Sequence, residues 1–215
     1  MLTGNWLRGR QSAAVCTGHR EAITCLSVSG NVVVSGSDDQ DLIVWDLKED
    51  VRYGGSGATC VVRHVLSGHT GKVLCCCIVR GMLVSGSEDK SVRVWDLVSG
   101  KLLSTFSDHA NAVLCMTTDG KRTVYSGGAD STVCMWCLDK LQPVTVMKQH
   151  KQPVLCLAYS HALDAVITGS RDQTVGVWRA ARSFRATGGG GASSSSGGSA
   201  VAAGGASRMD KKSEV

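Results

Sequence analysis

The sequence predicts an all-β protein built from four copies of one small antiparallel sheet and followed by a segment that cannot pack. Three observations carry this. A unit of short apolar strand, polar turn and alternating strand ending in tryptophan recurs four times. The composition, 43% hydrophobic with 26 Gly and only 2 Pro, suits one β-rich domain with many tight turns. From Gly188 to Ser207 the chain is almost entirely Gly, Ser and Ala, too poor in apolar side chains to offset the entropy of ordering.

The clearest copy is Val84 to Asp96, Val-Ser-Gly-Ser-Glu-Asp-Lys-Ser-Val-Arg-Val-Trp-Asp. Its relatives run from Val34 to Asp46, from Tyr125 to Trp136 and from Ile167 to Trp178. Upstream of each stands a histidine: His19, His69, His109 and His150. From histidine to hydroxyl the interval is 16, 16, 17 and 18 residues; from hydroxyl to aspartate it is always 4, and from aspartate to tryptophan always 6. Intervals held this tightly imply residues that meet in space. The expected meeting is a chain of hydrogen bonds in which the indole N–H donates to the hydroxyl, the hydroxyl to one imidazole nitrogen, and the other imidazole nitrogen to the carboxylate. The four sets are His19, Ser35, Asp39 and Trp45; His69, Ser85, Asp89 and Trp95; His109, Ser126, Asp130 and Trp136; and His150, Thr168, Asp172 and Trp178.

A Gly-His dipeptide, a Ser or Thr, an Asp and a closing Trp-Asp at a period of about 40 residues resemble the WD40 repeat. The resemblance covers roughly residues 11 to 180. Asp108-His109 and Gln149-His150 lack the glycine, and Trp136-Cys137 and Trp178-Arg179 lack the closing Asp, while the hydrogen-bonding residues are intact throughout. What the resemblance implies is a WD40-type β-propeller with four recognisable blades, either an open arc or a small closed ring, acting through protein partners bound at its rim.

In chain order, residues 1–10 are a lead-in, 11–187 the propeller segment and 188–215 a disordered tail. The repeats are expected at about 17–47 plus a strand at 60–66, then 67–106, 107–148 and 149–180. Gln11 to Cys16 reads as a short strand that could close the last sheet. The first repeat supplies strands at about Ala22–Val28, Val32–Gly36, Leu42–Leu47 and Cys60–Leu66. Between the last two, Lys48 to Thr59 is polar and Gly-rich and reads as a mobile loop. Val73–Val79 and Ala112–Thr118 are nearly continuous apolar runs, as expected of strands covered on both faces by neighbouring sheets.

Val73–Val79, the longest apolar run, is too short to span a bilayer, and the first residues lack the apolar core of a signal peptide. No membrane role is expected. Of the net charge of +5, the segment from Arg182 onward holds five basic residues against two acidic ones. The body therefore carries about +2, which does not point to nucleic acid. Cys25, Cys75, Cys115 and Cys156 each follow a repeat histidine by six residues inside an apolar strand, where cysteine serves as a small hydrophobe. Cys134 and Cys137 form a C-x-x-C, but three residues apart on a strand they face opposite ways, so no metal site and no cofactor is expected. Reduced, buried thiols point to the cytoplasm or nucleus.

His, Ser and Asp together suggest a hydrolase, yet an active site is one constellation in one cleft, whereas these residues recur four times inside their own sheets. The reading is non-catalytic. The rim positions beside the histidines and before the turn aspartates become the candidate binding surface: Arg20, Asp38, Lys72, Glu88, Asn111, Lys151 and Arg171. Self-association, or a partner chain that completes the ring, is a further expectation. Asn5-Trp6-Leu7-Arg8-Gly9-Arg10 is similar to the junction before the propeller of F-box/WD proteins, and Arg171 matches a position where some of those receptors grip phosphorylated peptides. That resemblance implies an alternative, a fragment of a ubiquitin-ligase substrate receptor. Where those receptors place arginines this chain has Thr24, Leu74, Leu114 and Leu155.

Overall fold

The structure is a computed structural model that describes residues 15–50 and 57–179, all within one compact unit. The lead-in 1–10 and the tail 188–215 lie outside these residues. Among the described residues there are fifteen strands and no helix. Blade 1 comprises β1 (Ile23–Ser29), β2 (Val32–Ser37), β3 (Leu42–Asp50) and β4 (Gly57–Leu66). Blade 2 comprises β5 (Val73–Val79), β6 (Met82–Ser87), β7 (Val92–Asp96) and β8 (Leu102–Phe106). Blade 3 comprises β9 (Val113–Thr118), β10 (Thr123–Gly128), β11 (Thr132–Cys137) and β12 (Gln142–Lys148). Blade 4 has three strands, β13 (Val154–Ser160), β14 (Ala165–Ser170) and β15 (Val175–Arg179). Every sheet is an antiparallel meander in chain order.

Local chemistry accounts for the meander. Arg80 and Gly81 both take positive φ, +50° and +76°, the paired left-handed geometry that matches the twist of a two-residue hairpin. Between the second and third strands of each blade, the residue after the turn aspartate is also left-handed: Gln40, Lys90, Ser131 and Gln173. Each returns its N–H to the carbonyl three residues earlier, at 3.1–3.2 Å. In all four blades the register of the first two strands slips by one residue, skipping Thr24, Leu74, Leu114 and Leu155. The bulge turns the residues on either side of it to opposite faces. Val73 therefore faces blade 1, beside Gly36, while Cys75 faces blade 3, beside Val113.

Three apolar clusters fill the three junctions. Val34, Leu42 and Val44 of blade 1 meet Val73, Leu83 and Trp95 of blade 2. Val84, Val92 and Val94 then meet Val113, Val124 and Trp136, and Tyr125 and Val133 meet Val154 and Val166. The first strands pack in succession, β1 on β5, β5 on β9 and β9 on β13, and no comparable packing joins β13 to β1.

Three expectations are corrected. Lys48 to Thr59 is not a loop throughout: β3 and β4 stay paired through Lys48 with Thr59, Glu49 with Ala58 and Asp50 with Gly57. The insertion lengthens a hairpin, its backbone groups satisfying one another, and only 51–56 fall outside the described residues. Second, Val15 and Cys16 of the anticipated opening strand are not in a strand, and residues 11–14 lie outside the description. Cys16 is disulfide-bonded to Cys60 of blade 1, which ties the chain at this point to the first sheet. Third, that bond means that eight of the ten cysteines are free thiols, not all of them.

Candidate functional site

Within each blade the four distant residues converge. In blade 2 the Trp95 indole N–H donates to the Ser85 hydroxyl at 2.9 Å, Ser85 lies 2.8 Å from His69 Nε2, and His69 Nδ1 lies 2.8 Å from Asp89. The same contacts in blade 1 are 2.8, 2.7 and 2.9 Å, through Trp45, Ser35, His19 and Asp39. Blade 3 shows 2.8, 2.8 and 2.9 Å, through Trp136, Ser126, His109 and Asp130. Blade 4 shows 3.0, 2.7 and 3.0 Å, through Trp178, Thr168, His150 and Asp172. One proton assignment gives every group its complement: the hydroxyl accepts from indole and donates to Nε2, while Nδ1–H donates to the carboxylate.

The aspartate is the hub. Its carboxylate also accepts the backbone N–H of the residue after the histidine, from Arg20, Thr70, Ala110 and Lys151 at 2.8–3.0 Å. It accepts a second backbone N–H from the residue two further along, from Asp41, Ser91, Thr132 and Thr174. In three blades that residue adds its own hydroxyl, Ser91, Thr132 and Thr174 donating to the carboxylate at 2.6, 2.7 and 2.5 Å. Sequence reasoning missed this fifth member. The signal was present as a hydroxyl two positions after the turn aspartate in three of four repeats, with Asp41 in the first.

The electrostatics follow from these bonds. Burial is the largest single influence on Asp89 and opposes its ionisation. Hydrogen bonds from Ser91, from the Thr70 N–H and from His69 together outweigh it and hold the carboxyl below its ordinary value. Asp39 and Asp130 are lowered in the same way against burial, and Asp172 chiefly by Thr174. Burial pulls the His69 imidazole below its ordinary value, with Asp89 opposing, so the ring is neutral at neutral pH.

The arrangement braces the sheet. Each hydroxyl that would have to act as nucleophile is buried and already carries an indole donor. No buried side-chain nitrogen or oxygen lacks a partner among the described residues.

The rim candidates do not form one cluster. Lys72 reaches across the first junction to Asp38 at 2.7 Å, pairing blade 2 with blade 1. Arg20 lies 3.7 Å from Asp41, with its own side chain mostly in solvent. Glu88, Asn111, Lys151 and Arg171 are exposed. A hollow of about 430 Å³ opens between the tetrad loops of blade 3 and its outer strand, lined by Asp108, Asp130, Thr132, Val146, Lys148 and His150 among others. Sequence reasoning named none of its residues as binding candidates. Cys134 and Cys137 lie on one strand, Cys134 in the core and Cys137 half-buried. Burial pushes the thiols of Cys77, Cys115 and Cys134 up to about 12, which keeps them protonated as small apolar fillers.

The family "WD domain, G-beta repeat" matches residues 10–46, 60–96, 100–137 and 141–179. The chain belongs to the WD40 family. Among solved structures, the computationally designed Ika4 protein is 30% identical with a TM-score of 0.68, over 80% of this chain and 99% of that one. The designed Ika8 protein is 31% identical with a TM-score of 0.65, over 76% of this chain and 47% of that one. U3-55K is 29% identical with a TM-score of 0.65, over 76% of this chain and 50% of that one. The chain thus spans nearly all of Ika4 but about half of the other two. No curated protein matches it significantly. Four WD40 repeats and propeller-like neighbours support a protein-interaction scaffold.

Proposed function

We propose that the chain is a non-catalytic scaffold that binds protein or peptide partners through the rim formed by the tetrad loops, with no cofactor or metal. The observation that carries this reading is that the reactive-looking residues are enclosed four times over, while the residues beside them, Glu88, Asn111, Lys151 and Arg171, hold charged or polar groups in solvent. A rim of mixed charge suits recognition of polar peptide surfaces, with a few anchors supplying most of the affinity. The eight free thiols favour a reducing compartment, the cytoplasm or nucleus, and the Cys16–Cys60 bond is the feature that pulls against it.

The test is quantitative affinity capture from cells with the wild-type chain and a Glu88→Lys, Lys151→Glu double variant. Both positions are exposed, so thermal stability should not change. The expected result is selective loss of a subset of partners from the variant. Identical recovery by both chains would place binding elsewhere. Ubiquitin-ligase subunits among the proteins lost would favour the substrate-receptor alternative, whose lead-in resemblance lies outside the described residues.

A further inference from the structure

The three internal junctions share one fitting, and the first and last of the described blades each carry half of that fitting on their outer face. At each junction a glycine of one blade receives a β-branched residue from the next. A Cβ on Gly36 would stand 2.7 Å from Val73, one on Gly86 2.6 Å from Val113, and one on Gly127 2.7 Å from Val154. Only glycine leaves room for the incoming valine, and all three valines are 0% exposed. A hydrogen bond to the backbone carbonyl of the same valine accompanies each fit. Thr24 donates to Val73, Cys75 to Val113 at 3.7 Å and Cys115 to Val154 at 3.6 Å.

Blade 4 repeats the receiving half. Among the described residues, a Cβ on Gly169 would meet only Cys156 of its own blade, with no incoming residue. Cys156, in the place of Cys75 and Cys115, is exposed, and among the described residues its thiol reaches only the Gly169 carbonyl, at 4.0 Å. The strand beside it is bare as well. Val175 and Val177 are 71% and 62% exposed, where their counterparts Val92 and Val94 are 0% exposed.

Blade 1 repeats the inserting half. Ile23 occupies the place of Val73, Val113 and Val154, four residues after the repeat histidine, and is 52% exposed. It is β-branched like the valines and larger by one methylene. Leu26 and Val28 on the same strand are 62% and 63% exposed. An apolar strip of this kind on an open blade face marks a contact surface.

We propose that a second copy of this chain docks head to tail, its Ile23 entering the Gly169 socket while its own tail receives the first copy's Ile23. Two arcs of four blades then close a ring of eight. The proportions agree: the four-blade arc covers 47% of the Ika8 chain, so two arcs make up a chain of that length. A head-to-tail contact closes into a ring when its rotation divides the circle, and here two identical contacts complete it. Closure also covers the open edges and faces that an isolated arc leaves to solvent. The inference does not depend on what the rim binds.

Sedimentation equilibrium of the full chain tests this, with Ile23→Asp altering the head and Val175→Asp the tail. Both side chains are exposed in the single chain, and circular dichroism checks that each variant remains folded. The wild type is expected at twice 22.5 kDa. Each variant alone should dissociate roughly 100-fold more readily, since both junctions lose an apolar anchor. An equimolar mixture of the two variants should recover pairing through one unaltered head and one unaltered tail. A wild-type monomer would overturn the proposal, as would pairing lost in Ile23→Asp but kept in Val175→Asp, which signifies head-to-head contact. A polymer that lengthens with concentration would overturn the closed pair.

Discussion

Trp136→Ala lowers the free energy of unfolding by about 3–5 kcal/mol, the range for truncating a buried aromatic residue. Trp136 is 0% exposed, stacks on Phe106 of the preceding blade with ring centroids 4.8 Å apart, and donates its indole N–H to Ser126 at 2.8 Å. Truncation opens a cavity at the second junction and removes the donor from a buried hydroxyl. Trp178→Ala, in blade 4, is expected to cost less, because Trp178 is only half-buried where it packs against the Tyr125 and Val133 cluster of blade 3. Urea unfolding of both variants gives the comparison, and equal losses would show that the shared tetrad bond, and not the depth of burial, sets the cost.

Acid is expected to destabilise the protein in two stages, because it acts on five groups that are all shifted in the same direction. His69 and the carboxyls of Asp39, Asp89, Asp130 and Asp172 all sit below their ordinary values in the folded chain. The unfolded chain therefore binds protons more readily than the folded one, and stability rises with pH wherever these groups titrate. Their contribution is complete above the ordinary histidine value of 6.5. Below it the His69 share fades first. Protonation makes Nε2 a donor toward Ser85, whose hydroxyl already accepts from Trp95, and the chain of bonds loses its direction. Below the ordinary carboxyl value of 3.8 the four hubs follow and the loss steepens. The urea midpoint measured across pH is expected to be level from 6.5 to a little below the ordinary thiol value of 9.0 and to fall on the acid side; a midpoint that rose toward acid would contradict this assignment.

The repeating parts of the fold were legible because they are written at fixed intervals. His19 to Ser35, Ser35 to Asp39 and Asp39 to Trp45 recur with one variable spacing, and the paired strands sit where the apolar runs lie. The WD40 family was legible for the same reason. What was not legible depends on neighbours that no spacing encodes. Ile23 and Val73 look alike in sequence, yet one is bare and the other enclosed, because only Val73 has a blade on its open side. The Cys16–Cys60 bond joins residues 44 apart with no counterpart in the other repeats. The long β3–β4 hairpin was hidden by Gly-rich composition, which reads as loop even where backbone pairing continues through Lys48 and Thr59. The Ser91, Thr132 and Thr174 hydroxyls were visible but interrupted, since Asp41 stands in their place in the first repeat.

That the His-Ser-Asp sets brace the blades, leaving the surface to carry function, is tested most directly by urea unfolding of Ser85→Ala. Ser85 joins the Trp95 indole to the His69 imidazole in a buried setting, and alanine leaves the indole N–H and His69 Nε2 without a partner. The account predicts a loss of about 1–3 kcal/mol from the two orphaned groups. An unfolding midpoint equal to that of the wild-type chain would contradict it.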